Sequence, residues 1–219
     1  MKKGLTELVF VLDMSGSMWD LTQDTIGGYN SLLEQNKKAG GECLVSTVFF
    51  NDEAKVIHDR VPIEKVPAIT DSDYSPNGST ALVDAFAGAI HHIGNVHKYA
   101  REEDVPEKTL FIVMTDGYEN ASTKYRSSQL KHMVEHERKK YGWEFLFVGA
   151  NIDAFATASA YGIHPGMISN YIADEKGTKL AHNAIGGASV KFRQNSPKEA
   201  KILMEAEMAV INLDYENRK

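Results

Sequence analysis

Apolar residues along this chain follow two patterns in turn. Short continuous runs, Leu8–Leu12, Cys43–Phe50, Thr109–Met114 and the stretch from Trp143 to Ala150, are rich in β-branched and aromatic residues. Runs of this kind predict strands buried on both faces, as in a parallel sheet. Between them apolar residues recur every three or four positions: Leu21, Thr25, Tyr29, Leu32, Leu33 and Asn36 within Trp19 to Ala39, and Val83, Phe86, Ala87, Ile90 and Ile93 within Ala81 to Tyr99. Both stretches read as helices, and the first stops at Gly40-Gly41, a favourable helix exit. Further helices are expected over Arg126 to Tyr141 and Asp153 to Tyr161, with a weak strand at Met167 to Tyr171.

Glu53 to Asp59 alternates only in part and follows the turn residues Asn51-Asp52, which predicts a hairpin partner at an antiparallel edge. Val61 to Tyr74, with Pro62 and Pro67, reads as a connection with at most one helical turn. Strands alternating with helices at this spacing imply βαβ crossovers and a doubly wound, Rossmann-like α/β fold: a three-layer sandwich around a mostly parallel six-stranded sheet with one antiparallel edge strand. Nothing marks a linker, so 1–219 reads as one domain with a core over about 5–172. The remainder, 173–219, reads as a C-terminal helical extension with a helix-like Ala- and Gly-rich stretch followed by a second over Ser196 to about Tyr215.

Two of the buried runs end abruptly in oxygen donors. The first runs into Asp13-Met14-Ser15-Gly16-Ser17, and the third into Thr115-Asp116-Gly117. A third polar stretch, Pro76-Asn77-Gly78-Ser79-Thr80, leads into the second helix. In an open α/β sheet, ligands bind beyond the carboxyl ends of the strands. Carboxylates and hydroxyls without neighbouring Cys or His suit a small hard cation. Asp-x-Ser-x-Ser alone arises by chance in roughly one chain in twenty of this length, so its weight rests on being placed with Thr80 and Asp116 at one sheet edge.

In order and interval, DMSGS, the later GST and TDG resemble the metal-ion-dependent adhesion site (MIDAS) of von Willebrand factor type A domains, with the likeness covering roughly Leu5 to Ile172. The resemblance implies Mg²⁺, or Mn²⁺, held by the hydroxyls of Ser15 and Ser17, by Thr80 directly or through water, and by Asp13 and Asp116 directly or through water. It also makes Glu53 to Asp59 the antiparallel edge strand. Two aspartates neutralise the dication, while neutral hydroxyls leave it electrophilic enough to accept another carboxylate, the natural donor being an Asp or Glu of a protein partner.

Charge and cysteine content narrow the setting. Lys and Arg number 24 against 30 Asp and Glu, a net charge of −6, which disfavours a nucleic-acid footprint or attraction to anionic membranes. The one cysteine, Cys43, cannot form an internal disulfide. Glu7 interrupts the amino-terminal apolar run and Asp13 ends it, unlike a secretory leader, and no stretch approaches a membrane span. A cytoplasmic protein is the expectation.

Competing chemistries fit less well. His132-Met133-Val134-Glu135-His136 matches an inverted zinc-peptidase pattern, but both histidines fall opposite the stripe of Leu130, Val134 and Tyr141, on the face expected to be solvated. No Gly-x-x-x-x-Gly-Lys-Ser/Thr or Gly-x-Ser-x-Gly occurs. An aspartyl phosphotransferase of the haloacid dehalogenase type would need a second Asp where Ser15 stands. The expected function is therefore a non-enzymatic, metal-dependent protein-binding module, with an AAA+ ATPase complex as a possible partner by fold-level analogy. The alternatives are a metal-dependent phosphohydrolase using the same pocket, or a scaffold acting through the carboxyl-terminal segment.

Overall fold

The computed structural model describes Met1–Lys219. Six strands, β1 (Lys2–Asp13), β2 (Cys43–Phe50), β3 (Ala54–Pro62), β4 (Pro106–Thr115), β5 (Glu144–Gly149) and β6 (Ile168–Asn170), form one sheet in the order β3-β2-β1-β4-β5-β6. All neighbouring pairs are parallel except β2 with β3. The helices are α1 (Thr22–Lys38), α2 (Leu82–Tyr99), α3 (Ser127–Tyr141), α4 (Ala154–Ala160), α5 (Glu175–Gln194) and α6 (Pro197–Arg218).

The two central strands are apolar on both faces: Leu8 to Val11 and Leu110 to Val113 are all essentially inaccessible to solvent. Helices must therefore cover both sides. From β1 the chain moves through α1 to β2 on one side, whereas β4 moves through α3 to β5 on the other. Right-handed crossovers in opposite directions put α1 on one face and α2, α3 and α4 on the other. The order of travel reverses between β1 and β4, which makes the carboxyl ends of these strands the topological switch point.

The expected elements are present, with shifted ends. β1 begins at Lys2 and β3 runs on to Pro62, because ladder hydrogen bonds extend a strand past its apolar run. The segment from Trp19 opens as a 3₁₀ turn over Gly16–Leu21 before α1 begins. One 3₁₀ turn, Ile63–Lys65, stands in the connection after β3. The segment after Asp174 is built into the layers. α5 lies against α1 and over β1 and β4, with Ala181, Ala184, Ala188 and Phe192 buried, and α6 packs on α5 and β6 through Ala200, Met204, Met208 and Ile211. Small residues on α5 let it approach α1 closely, and Asn36 of α1 donates to Ser189 Oγ at 2.8 Å, while Lys108 of β4 donates to the carbonyl of Asn195 just past α5 at 2.6 Å. No helix is long and apolar enough to cross a membrane.

Candidate metal centre

At the switch point β1 delivers Asp13 and β4 delivers Thr115 and Asp116, while the connection before α2 delivers Thr80. Asp13, Ser15, Thr80 and Asp116 are buried, and Ser17 is exposed at the rim. Ser17 Oγ donates to Asp116 Oδ1 at 2.5 Å and lies 3.1 Å from Ser15 Oγ. A Cβ at Gly117 would sit 3.4 Å from Thr80 Oγ1 and 3.6 Å from Ser17 Oγ, so two hydroxyls flank this glycine. All five residues singled out in the sequence thus meet at one sheet edge.

Asp13 is held from both sides. Its Oδ1 accepts from the Ser15 N–H at 2.7 Å, and its Oδ2 accepts from the Thr115 hydroxyl at 2.5 Å. The remaining lone pairs are what it can offer a ligand, so it organises the loop as much as it donates. Burial raises the Asp13 carboxyl above its ordinary range against the pull of the Ser15 and Thr115 hydrogen bonds. Burial also raises Asp116, with the Ser17 hydrogen bond opposing and the Asp13 charge adding to the rise. Neither carboxylate is ion-paired with a Lys, Arg or His side chain. Buried carboxylates without a cationic partner either take up a proton or are compensated by a bound cation.

The loops carrying these groups are bonded to one another. Gly16 N–H donates to the Gly78 carbonyl at 3.1 Å, and Asn77 N–H to the Met14 carbonyl at 3.0 Å. Thr80 and Asn120 bond reciprocally: Thr80 N–H donates to Asn120 Oδ1 at 2.9 Å, and Asn120 N–H to the Thr80 carbonyl at 3.0 Å. The Glu119 carboxylate accepts from Val83 N–H in the first turn of α2 at 2.7 Å, and from Ser122 N–H at 2.8 Å. Asp84 accepts from the N–H groups of Thr123, Lys124 and Tyr125. The chain after Asp116 therefore clamps the start of α2, fixing Thr80 relative to Asp116.

Sequence reasoning missed several of these residues. Thr115 could have been found, since it immediately precedes Asp116 at the strand end. Tyr74, whose hydroxyl donates to the Asp13 carbonyl at 2.5 Å, lies in a stretch without periodicity and gave no signal. Nor did Tyr171, fully buried after β6, whose hydroxyl has no hydrogen-bond partner and whose ionisation is opposed by burial and by the charges of Asp116 and Asp13.

Other candidates stand apart. A concavity of about 820 Å³ lies between α2 and α3 near the amino ends of β4 and β5, lined by Ile90, His97, Met133, Glu137 and Trp143 among others, and includes none of the five. His132 and His136 are solvent-exposed on α3; Tyr141, expected on the buried stripe, is 48% exposed because it ends the helix. Cys43 is buried, and burial pushes its thiol up to about 12. No three His, Cys, Asp or Glu side chains gather in a way that could hold a metal ion, so a cation at the switch point would draw most of its protein ligands from hydroxyls.

Solved structures share this architecture. A von Willebrand factor type A protein from Catenulispora acidiphila superposes with a TM-score of 0.56 at 13% identity, over 85% of this chain and 43% of that one. The vWF domain of the type V pili tip protein Mfa5 from Porphyromonas gingivalis gives 0.58 at 10% identity, over 87% of this chain and 97% of that one. The fold is that of a von Willebrand factor type A domain. A mutant of the PilB minor pilin from Streptococcus sanguinis (TM-score 0.61, 14% identity) and proximal thread matrix protein 1 from the mussel byssus, solved with a zinc-occupied MIDAS motif (0.57, 16%), also match this A-type fold. They are covered over 61% and 46% of their lengths by 84% of this chain, so it spans less than two thirds of several relatives. No protein-family model and no curated protein matches the sequence.

Proposed function

We propose that this chain is a divalent-metal-dependent protein-binding module, holding Mg²⁺ or Mn²⁺ through Asp13, Ser15, Ser17, Thr80 and Asp116 and engaging an Asp or Glu of a protein partner. The observation that carries this reading is the pair of buried carboxylates facing hydroxyls, neither of them ion-paired with a cationic side chain. The donor set fits a hard cation: oxygen only, with two negative charges to balance two positive ones. When bound, the ion supplies a Lewis-acidic position at which a carboxylate oxygen from outside can coordinate. The mussel matrix protein, whose MIDAS motif holds zinc, gives a precedent for metal on this fold.

The surroundings favour binding over chemistry. Trp19 and Tyr118, two residues beyond Ser17 and Asp116, are 67% and 62% exposed. Exposed aromatics beside a charged anchor are the residues that dominate protein interfaces. Both Asp13 oxygens accept hydrogen bonds from Ser15 N–H and the Thr115 hydroxyl, which suits a group that organises the loop, and a reaction class needs a named base and nucleophile.

Isothermal titration with Mg²⁺ and Mn²⁺ tests the site. Wild type binds, and Asp116→Asn and Ser17→Ala, which leave the Asp13 hydrogen bonds in place, bind at least about ten-fold more weakly, the scale of one lost charged or second ligand. Equal binding by all three proteins sinks the assignment. Capture of partner from native lysate, lost with chelator and lost in Trp19→Ala at unchanged metal affinity, tests the rest.

A further inference from the structure

α6 is apolar on two opposite faces. At 100° per residue, Ala200, Met204, Met208 and Ile211 form the face buried against α5 and β6. Ile202, Ala206, Ala209, Val210 and Leu213 form a second stripe roughly opposite, and all five are exposed, with Ile202 at 61%, Val210 at 46% and Leu213 at 65%. A surface helix normally turns polar residues to water, so large apolar side chains repeated at helical spacing mark a contact.

The order of residues in this stripe identifies the occupant. Four of these residues read the same in size from either end, large Ile202, small Ala206, small Ala209 and large Leu213, with Val210 at the margin of the stripe. Laid antiparallel on a second copy about a two-fold axis between Ala206 and Ala209, Ile202 of one copy meets Leu213 of the other, and the alanines meet at the crossing, where small side chains permit close approach. Charges follow the same symmetry. Lys198 and Glu216 flank the stripe on the same side, at opposite ends, and both are exposed without an ion-pair partner within the chain. In antiparallel helices residues on the same flank face each other, so Lys198 of each copy would stand beside Glu216 of the other. An isologous contact requires this self-complementarity.

We infer that α6 is a homodimer interface, in which two copies of this chain pair antiparallel through Ile202, Ala206, Ala209 and Leu213. The inference is independent of the metal site, which lies at the carboxyl edge of the sheet on other elements. A contact between single helices about 33 Å long sits at the small end of specific interfaces, so association is reversible and concentration-dependent.

Sedimentation velocity on the full chain over a concentration series tests it. Wild type shifts from monomer to dimer as concentration rises. Leu213→Glu, at a position outside the core, remains monomeric at every concentration with an unchanged circular dichroism spectrum. Lys198→Glu and Glu216→Lys each weaken the dimer about ten-fold, since each sets two like-charged pairs face to face, and the double charge swap restores it. Wild type monomeric throughout, Leu213→Glu as dimeric as wild type, or a double swap no better than the single changes would each overturn the pairing.

Discussion

Gly27 and Gly28 are neighbours on α1 in different surroundings, and they separate backbone propensity from packing. A Cβ at Gly27 meets nothing within 4 Å, whereas one at Gly28 would lie 2.4 Å from Cγ of His182 on α5. In a helix interior, Gly to Ala gains roughly 0.5–1 kcal/mol from reduced backbone freedom. Gly27→Ala should therefore stabilise the protein by about that amount, while Gly28→Ala should destabilise it by about 1–3 kcal/mol, the cost of overpacking. Urea unfolding of the two variants reads the opposite signs. His182 itself is fully buried, with Nδ1 2.9 Å from the Thr178 carbonyl and Nε2 unpartnered, and burial lowers its pKa from 6.5 to about 4. The unfolded chain thus takes up a proton here before the folded one does. Stability from this group is complete above pH 6.5 and falls as pH drops toward about 4, by up to roughly 3 kcal/mol. The pH slope of unfolding free energy across that window should be shallower in His182→Gln than in wild type; identical slopes would place the titration elsewhere.

Among the elements, what could be read from the sequence depended on whether one residue or several carried the information. The continuous runs of β1, β2 and β4 announced themselves because burial on both faces removes polar residues altogether. Asp13, Ser15, Ser17 and Asp116 were legible for a related reason, since each polar group follows directly on such a run, and Thr80 because it opens a helix. The clamp was not legible. Glu119 is 36 residues from Val83, and Asp84 reaches Thr123 across 39; in sequence each is only an acid near a turn or in a first helical turn. Gly78 shows the same limit. Its φ of +73° could be guessed from Asn77-Gly78, but not that a Cβ there would lie against the carboxylate of Asp52 from the β2–β3 turn, which accepts from Ser79 N–H at 3.2 Å. α5 was legible as a helix-like stretch, but its place in the layers was not. Its Ala and Gly positions carry little hydrophobic signal, so a helix built to lie close to α1 looked like an appendage. α6 was read as a helix, but its two apolar faces hid which one packs inward, because a stripe on each side cancels the contrast that orients an amphipathic helix.

For the molecule as a whole, the switch point is where a ligand can act on global stability. The five oxygen-bearing residues come from three separate places in the chain, Asp13 to Ser17, Thr80 and Asp116, and meet only when β1 and β4 pair and α2 docks. The unfolded chain cannot gather them, so a cation that binds them binds the native state and stabilises it by mass action. It also neutralises carboxylates that burial otherwise disfavours. At a free Mg²⁺ concentration of about 100 times the dissociation constant the gain is roughly 2.7 kcal/mol, and for a domain of this size about 2–4 °C per kcal/mol gives a rise in melting temperature of about 5–10 °C. Calorimetry should show that rise in wild type and, for Asp116→Asn binding about ten-fold more weakly, a rise cut to about half or less at the same Mg²⁺ concentration, while the variant's own melting temperature without metal need not fall, since a buried charge near Asp13 has been removed. A variant that gains as much from Mg²⁺ as wild type would mean that the ion stabilises the protein from somewhere other than the switch point.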